Sequence, residues 1–279
     1  MNLLYCEMGR TQIGKTETSY KNASGILTAA KGFMSAYDYT LNPYSGCAFG
    51  CTYCYAAFFS RSLDLRQNWG HWLQVKQNAV ELLKKFRKKS LQYKCIYMSS
   101  VTDPYQPIEK ELELTRDLLK ELLVYHQPRL VVQTRGPLVT RDIDLFQQFL
   151  HVQVNMTITT DNEQVRKVFE PLCPSNNIRL EAIKKINAAG VPACITLTPL
   201  LPVTDVDGFA QTLLETGVKK FIVQPFHDEK GRYTGATREE AGRLIKEMNW
   251  TPEKYKQVYD ILKKYIPNLG VGKDGFKPI

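Results

Sequence analysis

The sequence predicts an α/β protein built as a partial (β/α)6 barrel, similar to a TIM barrel, and two observations support this fold class. Six strand-like segments alternate with helix-like segments, and each repeat takes roughly 30 to 45 residues, the length of a right-handed crossover between parallel strands. The chain has 279 residues, of which 43% are hydrophobic, which is enough to bury a full core. We therefore expect six parallel strands with helices packed outside them.

The chain divides into three parts by composition and pattern. Residues 1–39 are polar and rich in turn residues, and we expect an N-terminal arm there. Residues 40–226 contain the predicted barrel core. Residues 227–279 include two predicted helices, which we expect to close the open end of the barrel. Because neither an internal repeat nor a linker is visible, we expect one domain.

The elements of the core follow one another in regular order. The predicted strands are 39–41, 95–99, 129–133, 152–159, 193–197 and 219–224. The predicted helices are 74–89, 115–126, 141–150, 163–169, 179–189 and 207–216, with 237–248 and 252–265 in the extension. Gly190 and Gly217 stand where helix C-caps are expected, since glycine adopts the left-handed conformation there without strain.

The fourth predicted strand has one polar and one apolar face. Asn155, Thr157 and Thr159 share one face, and Met156 and Ile158 share the other. Because the outer face of the sheet packs against helices, we expect the polar face to point inward. Inward hydroxyls indicate either a cavity for a polar ligand or a hydrated interior.

Three cysteines lie close together at Cys47, Cys51 and Cys54. Three thiolates on one short loop leave one position open, as in a four-iron cluster bound by three cysteines. A structural zinc site is the alternative, but it normally has four protein ligands, and the next candidates, His71 and Cys95, are distant. A disulfide framework is disfavoured because the seven cysteines are odd in number and scattered.

The remaining cysteines have no partner at metal-ligand spacing. Cys6 and Cys194 are isolated in the sequence, and Cys95 is expected to be a buried core thiol. Cys173 follows a predicted helix in a loop, where we expect a neutral surface thiol.

Polar side chains follow the second and third predicted strands. Ser99, Ser100, Thr102 and Asp103 follow the second strand, and Arg135 follows the third. Ligand sites in parallel α/β proteins gather at the carboxyl ends of strands. These groups are suited to the ammonium and carboxylate of an amino acid, although each alone could equally cap a helix. Their position beside the cysteine loop favours a binding site.

The cysteine spacing, with an aromatic residue directly before the third cysteine, resembles the motif of the radical S-adenosylmethionine (SAM) superfamily. Further segments are similar to its spore photoproduct lyase-like branch, in the same order over about 40–225; they are 42–44, 53–56, 102–107, 140–145, 170–171, 179–183, 189–190 and 198–202. The resemblance implies an enzyme in which a four-iron four-sulfur cluster cleaves SAM. The resulting 5′-deoxyadenosyl radical would then abstract hydrogen from a substrate.

The resemblance also implies roles for individual residues. Cys47, Cys51 and Cys54 would hold the cluster. The residues implied to contact SAM are Tyr53, Ser99, Ser100, Thr102, Asp103, Arg135, Thr157, Leu197 and Pro199. Among them, Tyr53 would lie beside the adenine, and Arg135 stands where the lyase has a lysine near the methionyl carboxylate.

Two positions are implied to take part in catalysis, Tyr55 and Ser100. Tyr55 matches a tyrosine that assists the lyase, either as a radical relay or by packing on the cluster loop. Ser100 occupies the position of the lyase cysteine that returns a hydrogen atom to the product radical, and a hydroxyl O–H bond is too strong for that step. Cys95 is expected to face the other way on the same strand. We therefore do not expect thymine-dimer repair by the lyase mechanism.

The sequence is compatible with three functions. We favour a radical SAM enzyme acting on a small molecule or an amino acid, with SAM and a reductant such as a flavodoxin or ferredoxin as partners. A nucleic-acid modification or repair enzyme is the alternative, favoured by the formal net charge of +9. Part of that charge lies in the basic run 84–89, which could be a solvated helix face or a phosphate contact. A non-catalytic metal-binding module for nucleic acid would not need the polar strand ends.

The sequence also bears on the cellular compartment. No apolar run approaches the length of a membrane span, and the N-terminus lacks an apolar stretch after a basic one. Free thiols and an oxygen-sensitive cluster require a reducing compartment, so we expect the cytoplasm and no membrane partner.

Overall fold

The strands form two sheets in the part of the chain that the structure describes. The computed structural model describes residues 11–60, 62–227 and 239–279. The strands are β1 (Gln12–Ile13), β2 (Thr16–Lys21), β3 (Leu27–Ala29), β4 (Tyr39–Leu41), β5 (Tyr44–Gly46), β6 (Trp72–Lys76), β7 (Cys95–Met98), β8 (Arg129–Thr134), β9 (Val152–Thr157), β10 (Ala193–Leu200), β11 (Lys220–Pro225) and β12 (Gly270–Val271).

The helices alternate with the strands of the larger sheet. They are α1 (Leu63–Gln67), α2 (Ala79–Lys84), α3 (Glu109–Leu112), α4 (Leu114–Tyr125), α5 (Ile143–Phe146), α6 (Glu163–Phe169), α7 (Asn176–Ala188), α8 (Val206–Leu214), α9 (Glu239–Glu247), α10 (Pro252–Tyr265) and α11 (Gly272–Gly275). The predicted start of α9 at 237 lies outside the described residues, as do Cys6 and the first ten residues of the expected arm.

Six adjacent parallel strands make up most of the larger sheet, whose order is β12-β11-β10-β9-β8-β7-β4-β3. The strands from β4 to β11 in this order are the six that the sequence predicts, and β12 extends them in parallel. β3 pairs antiparallel with β4 at the other edge. The predicted fold class, an α/β protein with a parallel sheet, is confirmed.

The smaller sheet, β1-β2-β6-β5, adds strands that the sequence analysis did not predict and corrects one predicted helix. The polar arm contributes β2, which pairs in parallel with β6. The predicted helix 74–89 is wrong at its start, because Trp72–Lys76 is a strand and the helix begins at Ala79. Leu73 and Val75 are buried there while their neighbours are half-buried, which is the two-residue period of a strand.

The predicted helix 141–150 is also shorter than expected. A 3-10 segment runs from Pro137 to Asp142, and only Ile143–Phe146 is α-helical.

The two faces of the larger sheet differ in polarity. Met156 and Ile158 are fully buried in the outer core, which also contains apolar side chains of the helices. On the inner face, Gln133 Nε2 donates hydrogen bonds to Thr157 Oγ1 at 2.8 Å and to Thr196 Oγ1 at 3.1 Å. The polar face of β9 therefore points inward, in agreement with the sequence pattern.

The C-terminal segment contacts the N-terminal residues at the amino ends of the strands. The Phe276 ring packs on Phe33 and Tyr97, with centroids 5.6 and 6.3 Å apart. Lys273 Nζ donates a hydrogen bond to Ser35 Oγ at 2.7 Å. Cys95 also lies at this end, where it packs against the buried cluster that contains Tyr97 and Phe276. It is half-buried and is not the buried core thiol expected from the sequence. None of the helices in the described ranges is long and apolar enough to cross a membrane.

Candidate cofactor site

The cysteine loop lies between β5 and the 3-10 segment Tyr55–Phe59, and other elements hold its backbone. Thr102 Oγ1 donates a hydrogen bond to the Gly46 carbonyl at 2.6 Å, and the Ala48 amide donates to Gln106 Oε1 at 2.9 Å. The Thr52 amide donates to the carbonyl of Phe169, the last residue of α6, at 2.9 Å. The loop is thus fixed to the segment after β7 and to the end of α6.

The three cysteines of this loop lie in a mostly apolar environment. Cys47 and Cys51 are buried and Cys54 is half-buried. Phe49 and Trp69 belong to the same buried cluster. Burial raises the pKa of the Cys47 thiol and raises the pKa of Cys54 to about 12. No three His, Cys, Asp or Glu side chains of the described residues are arranged as ligands of a single metal ion.

A fourth cysteine belongs to this cluster. Cys173 Sγ lies 3.6 Å from Cys51 Sγ, and Cys173 is buried. The surface location expected for Cys173 is therefore wrong: its loop folds under the cysteine loop, which sequence spacing could not reveal. The hydrogen bond from Cys173 lowers the pKa of Cys51, and the positive charge of Arg135 acts in the same direction.

Ser99 and Ser100 follow β7 beside the cysteine loop. Ser99 has a left-handed backbone, with φ of 71°, and its buried hydroxyl has no hydrogen-bond partner. Ser100 Oγ accepts a hydrogen bond from Asn42 Nδ2 at 3.3 Å. The Tyr55 hydroxyl donates to the Ser100 carbonyl, so the two predicted catalytic residues are in contact.

Asp103 is a buried anchor of the strand ends. Its carboxylate accepts hydrogen bonds from Thr134 Oγ1 at 2.7 Å, from the Arg135 amide at 2.7 Å and from the Tyr105 amide at 2.9 Å. Burial raises the pKa of Asp103, while these hydrogen bonds oppose the rise.

The Arg135 side chain belongs to a buried ionic network centred on Glu170. Arg135 Nε lies 3.3 Å from Glu170 Oε1, and Arg135 Nη2 donates to the Tyr53 hydroxyl at 3.0 Å. Tyr53 in turn donates to Glu170, and Arg179 Nη2 donates to Glu170 Oε2 at 2.6 Å. Burial alone would raise the pKa of Glu170, but Arg179 and Arg135 lower it to about 2.

The remaining predicted residues lie on β9 and β10. Thr157 is buried and bonded to Gln133 and Thr196. Leu197 is buried in the outer core, so its side chain packs away from the polar interior. Pro199 is half-buried near the carboxyl end of β10.

The comparison with known families identifies this arrangement. The family model "Radical SAM superfamily" matches residues 41–215, which include the cysteine loop and the strand ends described above. The chain belongs to the radical SAM superfamily. The membership predicted from the cysteine motif is thereby confirmed.

Two relatives share sequence with this radical SAM protein. The uncharacterized protein MJ0683 of Methanocaldococcus jannaschii is 38% identical over 164 residues, covering 59% of this chain and 61% of the relative. This match therefore spans less than two thirds of the relative's length. The uncharacterized protein ORF301 of Acidianus two-tailed virus is 28% identical over 246 residues, covering 81% of this chain and 80% of the relative.

Two solved structures share the fold. Spore photoproduct lyase complexed with dinucleoside spore photoproduct has a TM-score of 0.61 and 16% sequence identity, covering 91% of this chain and 81% of that chain. Streptococcus suis SuiB bound to S-adenosylmethionine has a TM-score of 0.52 and 11% identity, covering 83% of this chain and 49% of that chain. These likenesses concern the fold.

Unused hydrogen-bonding capacity at the strand ends fits a polar cofactor. Ser99 Oγ follows β7 and Thr159 Oγ1 follows β9, and both are buried without a partner. Buried polar atoms in folded proteins are nearly always hydrogen-bonded. Three thiols on one loop form the donor set of a cluster with an open iron, and the neighbouring hydroxyls and Arg135 could bind the polar end of SAM.

Sequence reasoning missed three residues of the site, Gln106, Glu170 and Arg179. Each is completely buried, although amide and charged side chains are usually exposed. All three lie in segments that resemble the lyase-like branch, but the bond of Gln106 to the cysteine loop and the ion pair of Glu170 with Arg179 form only in the fold.

Proposed function

We propose that Cys47, Cys51 and Cys54 bind a four-iron four-sulfur cluster and that the adjoining strand ends bind SAM. The observation that carries this proposal is one fixed loop with three thiols, placed beside the unpartnered Ser99 hydroxyl and the Arg135 guanidinium. A lyase variant with bound AdoMet and dinucleoside spore photoproduct shares the fold with a TM-score of 0.60. Family membership supports the same cofactors.

The residues of the site divide into groups that touch SAM and groups that position them. Ser99 and Arg135 have hydrogen-bonding capacity to spare, so we assign them to the methionyl end, with Tyr53 beside the adenine. The side-chain oxygens of Asp103 and Thr102 form hydrogen bonds with other groups of the protein, which favours a positioning role for both residues. Leu197 would contact SAM through its main chain, because its side chain packs outward. Pro199 would shape the adenine side of the pocket.

The chain's own residues prepare this site for radical chemistry. A bound cluster would supply the electron that cleaves SAM and releases the radical that attacks the substrate. The apolar side chains of Phe49 and Trp69 exclude water from the cysteine loop. Tyr55 is bonded to the Ser100 carbonyl, which fixes the loop against the end of β7, and its side chain is 43% exposed.

We infer a small molecule or an amino acid as the substrate. The inner face of the sheet near the site presents amide and hydroxyl groups, on Gln133, Thr157 and Thr196, which suit a compact polar molecule. We further infer a flavodoxin or ferredoxin as reductant, and the cytoplasm as compartment because the thiols of the described residues are free.

Nucleic acid is the second candidate substrate. The formal net charge of +9 and the structural similarity to a lyase complexed with a dinucleoside favour it. Lyase-type repair is disfavoured because Ser100 offers a hydroxyl where a weak S–H bond is needed, and because Cys95 lies at the opposite end of β7.

Iron binding tests the proposal directly. Anaerobic reconstitution should give about four irons and four sulfides per chain, since three thiolates bind one such cluster. Cys47→Ala, Cys51→Ala and Cys54→Ala should each lose the iron, whereas Cys194→Ala, a buried thiol remote from the loop, should retain it. With a reductant, the loaded enzyme should convert SAM to 5′-deoxyadenosine. One zinc and no iron per chain would contradict the proposal.

A further inference from the structure

Cys173 lies in contact with one cysteine of the loop without belonging to the three-cysteine motif. Its Sγ atom is 3.6 Å from Cys51 Sγ, which is a hydrogen-bonding separation for two sulfur atoms and far longer than a disulfide bond. Both side chains are buried, so water does not compete for this contact. The short distance between the two sulfur atoms is a result of the fold, since Cys51 and Cys173 are 122 positions apart in the sequence.

The backbone around Cys173 is held firmly in this position. The Cys173 amide donates to the Glu170 carbonyl at 3.1 Å. Arg166 Nη1 donates to the carbonyls of Glu170 and Cys173, at 2.8 and 2.9 Å. The same turn follows Phe169, whose carbonyl accepts the Thr52 amide of the cysteine loop. The Cys173 backbone is therefore held in place, and the cysteine loop is bonded to the same turn.

We propose that Cys173 is a positioning residue of the cluster, donating an S–H···S hydrogen bond to the Cys51 sulfur. This inference rests on the proposed function. Once Cys51 ligates iron as a thiolate it carries no proton, so Cys173 is the partner that can donate the hydrogen. Hydrogen bonds to the sulfurs of an iron–sulfur cluster are among the factors that set its reduction potential.

The direction of the effect follows from charge. A donated hydrogen bond withdraws electron density from the thiolate, and this favours the reduced cluster, which carries one more negative charge. Loss of the donor should therefore lower the reduction potential. A cluster with a lower potential is harder for a given reductant to reduce. The Cys173 thiol would therefore bring the reduction potential of the cluster closer to that of its electron donor.

Potentiometric titration of the reconstituted cluster, followed by electron paramagnetic resonance without SAM, tests the proposal. Cys173→Ala should lower the midpoint potential while retaining the iron and sulfide content. Cys173→Ser, which keeps a donor, should lie closer to the unchanged protein. Cys194→Ala is the matched control, because it removes a fully buried thiol remote from the loop and should leave the potential unchanged. In deuterium oxide, the deuteron coupling of the Cys173 thiol should disappear in Cys173→Ala.

The other outcomes overturn the assignment in distinguishable ways. An unchanged potential in Cys173→Ala at full iron content would mean that the contact does not act on the cluster. Loss of iron from both Cys173 variants would make Cys173 a ligand or a scaffold residue in place of a donor. Absence of iron from the unmodified chain would overturn the proposed function, and the assignment with it.

Discussion

At the scale of single residues, the buried charges beside the cysteine loop are paired around Glu170, and this pairing fixes the position of the Arg135 side chain. Glu170 is completely buried and contacts two arginines, Arg135 and Arg179, together with the Tyr53 hydroxyl. A buried carboxylate is tolerated only when paired and hydrogen-bonded. The two guanidinium groups balance the carboxylates of Glu170 and Asp103 in formal charge, so binding of a methionyl carboxylate would depend on the hydrogen bonds that Arg135 can still donate.

Arg135 provides the first residue-scale prediction. Arg135→Ala should weaken SAM binding about tenfold to a hundredfold, because a hydrogen bond to a charged group contributes about 1.5–3 kcal/mol. Arg129→Ala is the matched control, since Arg129 is exposed at the first position of the same strand. Equilibrium dialysis with the reconstituted protein would measure both. Equal weakening in the two variants would place SAM away from the end of β8.

Glu170 provides a prediction about acid stability. Its pKa is lowered to about 2, so its ionised form stabilises the folded state above the unfolded pKa, and this contribution disappears as the pH falls. From pH 7 to pH 3 the loss should be about 2 kcal/mol. In urea unfolding, the free energy of unfolding should therefore fall more steeply with acidification in the unchanged protein than in Glu170→Gln. Parallel slopes would show that Glu170 does not titrate in this way.

At this scale the sequence indicated the cysteine motif, but it did not indicate the tertiary contacts around that motif. The three cysteines were recognisable from spacing alone, since their chemistry requires proximity along the chain. The Cys51–Cys173 and Tyr53–Glu170 contacts were not, because each joins residues more than one hundred positions apart. A completely buried glutamate has no local signature that distinguishes it from a surface one.

At the scale of elements, the cysteine loop depends on how β5 enters it. Gly46 ends β5 with φ of +79°, and a Cβ atom there would lie 2.5 Å from the Trp72 carbonyl oxygen. β5 pairs with β6 at this point, with Gly46 opposite Leu73. Only glycine allows this approach, and Cys47 follows immediately.

Gly46→Ala should therefore destabilise the fold and reduce iron retention. The left-handed backbone alone costs about 1–2 kcal/mol for a residue with a side chain, and the clash with Trp72 adds to this. Gly190→Ala is the matched control, because its φ is +77° and no heavy atom lies within 4 Å of the added Cβ. Thermal unfolding and iron analysis should separate the two variants, with the larger loss at Gly46. Similar losses would mean that backbone strain, and not the clash, limits this position.

The strands also show which parts of the fold are determined by the local sequence. All six core strands were predicted close to their observed bounds, because each contains buried apolar residues. β6 was mistaken for the start of a helix, since Gln74, Val75 and Lys76 are also acceptable in a helix. Its pairing with β2 joins residues more than fifty positions apart, and this tertiary contact overrides the local preference.

At the scale of the whole molecule, the positive charge is not concentrated at the candidate site. The basic run 84–89 ends shortly before β7 begins, so it lies toward the amino ends of the strands, away from the cysteine loop. Within it, Arg87 forms an ion pair with Glu121 and stacks on Tyr125, and Lys84 pairs with Glu81. This arrangement favours a solvated surface over a substrate contact.

A different surface adjoins the site itself. Phe59 follows the cysteine loop and is 59% exposed, with its ring centroid 6.2 Å from that of Tyr55. Arg66 lies over the ring of Phe58, with its guanidinium carbon 4.5 Å from the centroid. Phe58 itself is half-buried, so the exposed rings here are those of Phe59 and Tyr55, and exposed rings near a cation are typical of surfaces on which unpaired bases stack.

These two surfaces make the nucleic-acid alternative testable. If single-stranded DNA or RNA is the substrate, affinity should fall steeply as salt rises from about 50 to 200 mM, because phosphate contacts release counterions. Phe59→Ala should weaken binding by about 1–3 kcal/mol, the contribution of one stacked base. A triple change of Lys84, Lys85 and Lys88 to Gln should leave both the affinity and the salt dependence nearly unchanged, since that run lies at the opposite end of the strands. Fluorescence anisotropy with a short labelled oligonucleotide would measure all three proteins. A flattened salt dependence in the triple variant would move the interface to the basic run, and absence of binding at low salt would leave a small polar molecule as the substrate.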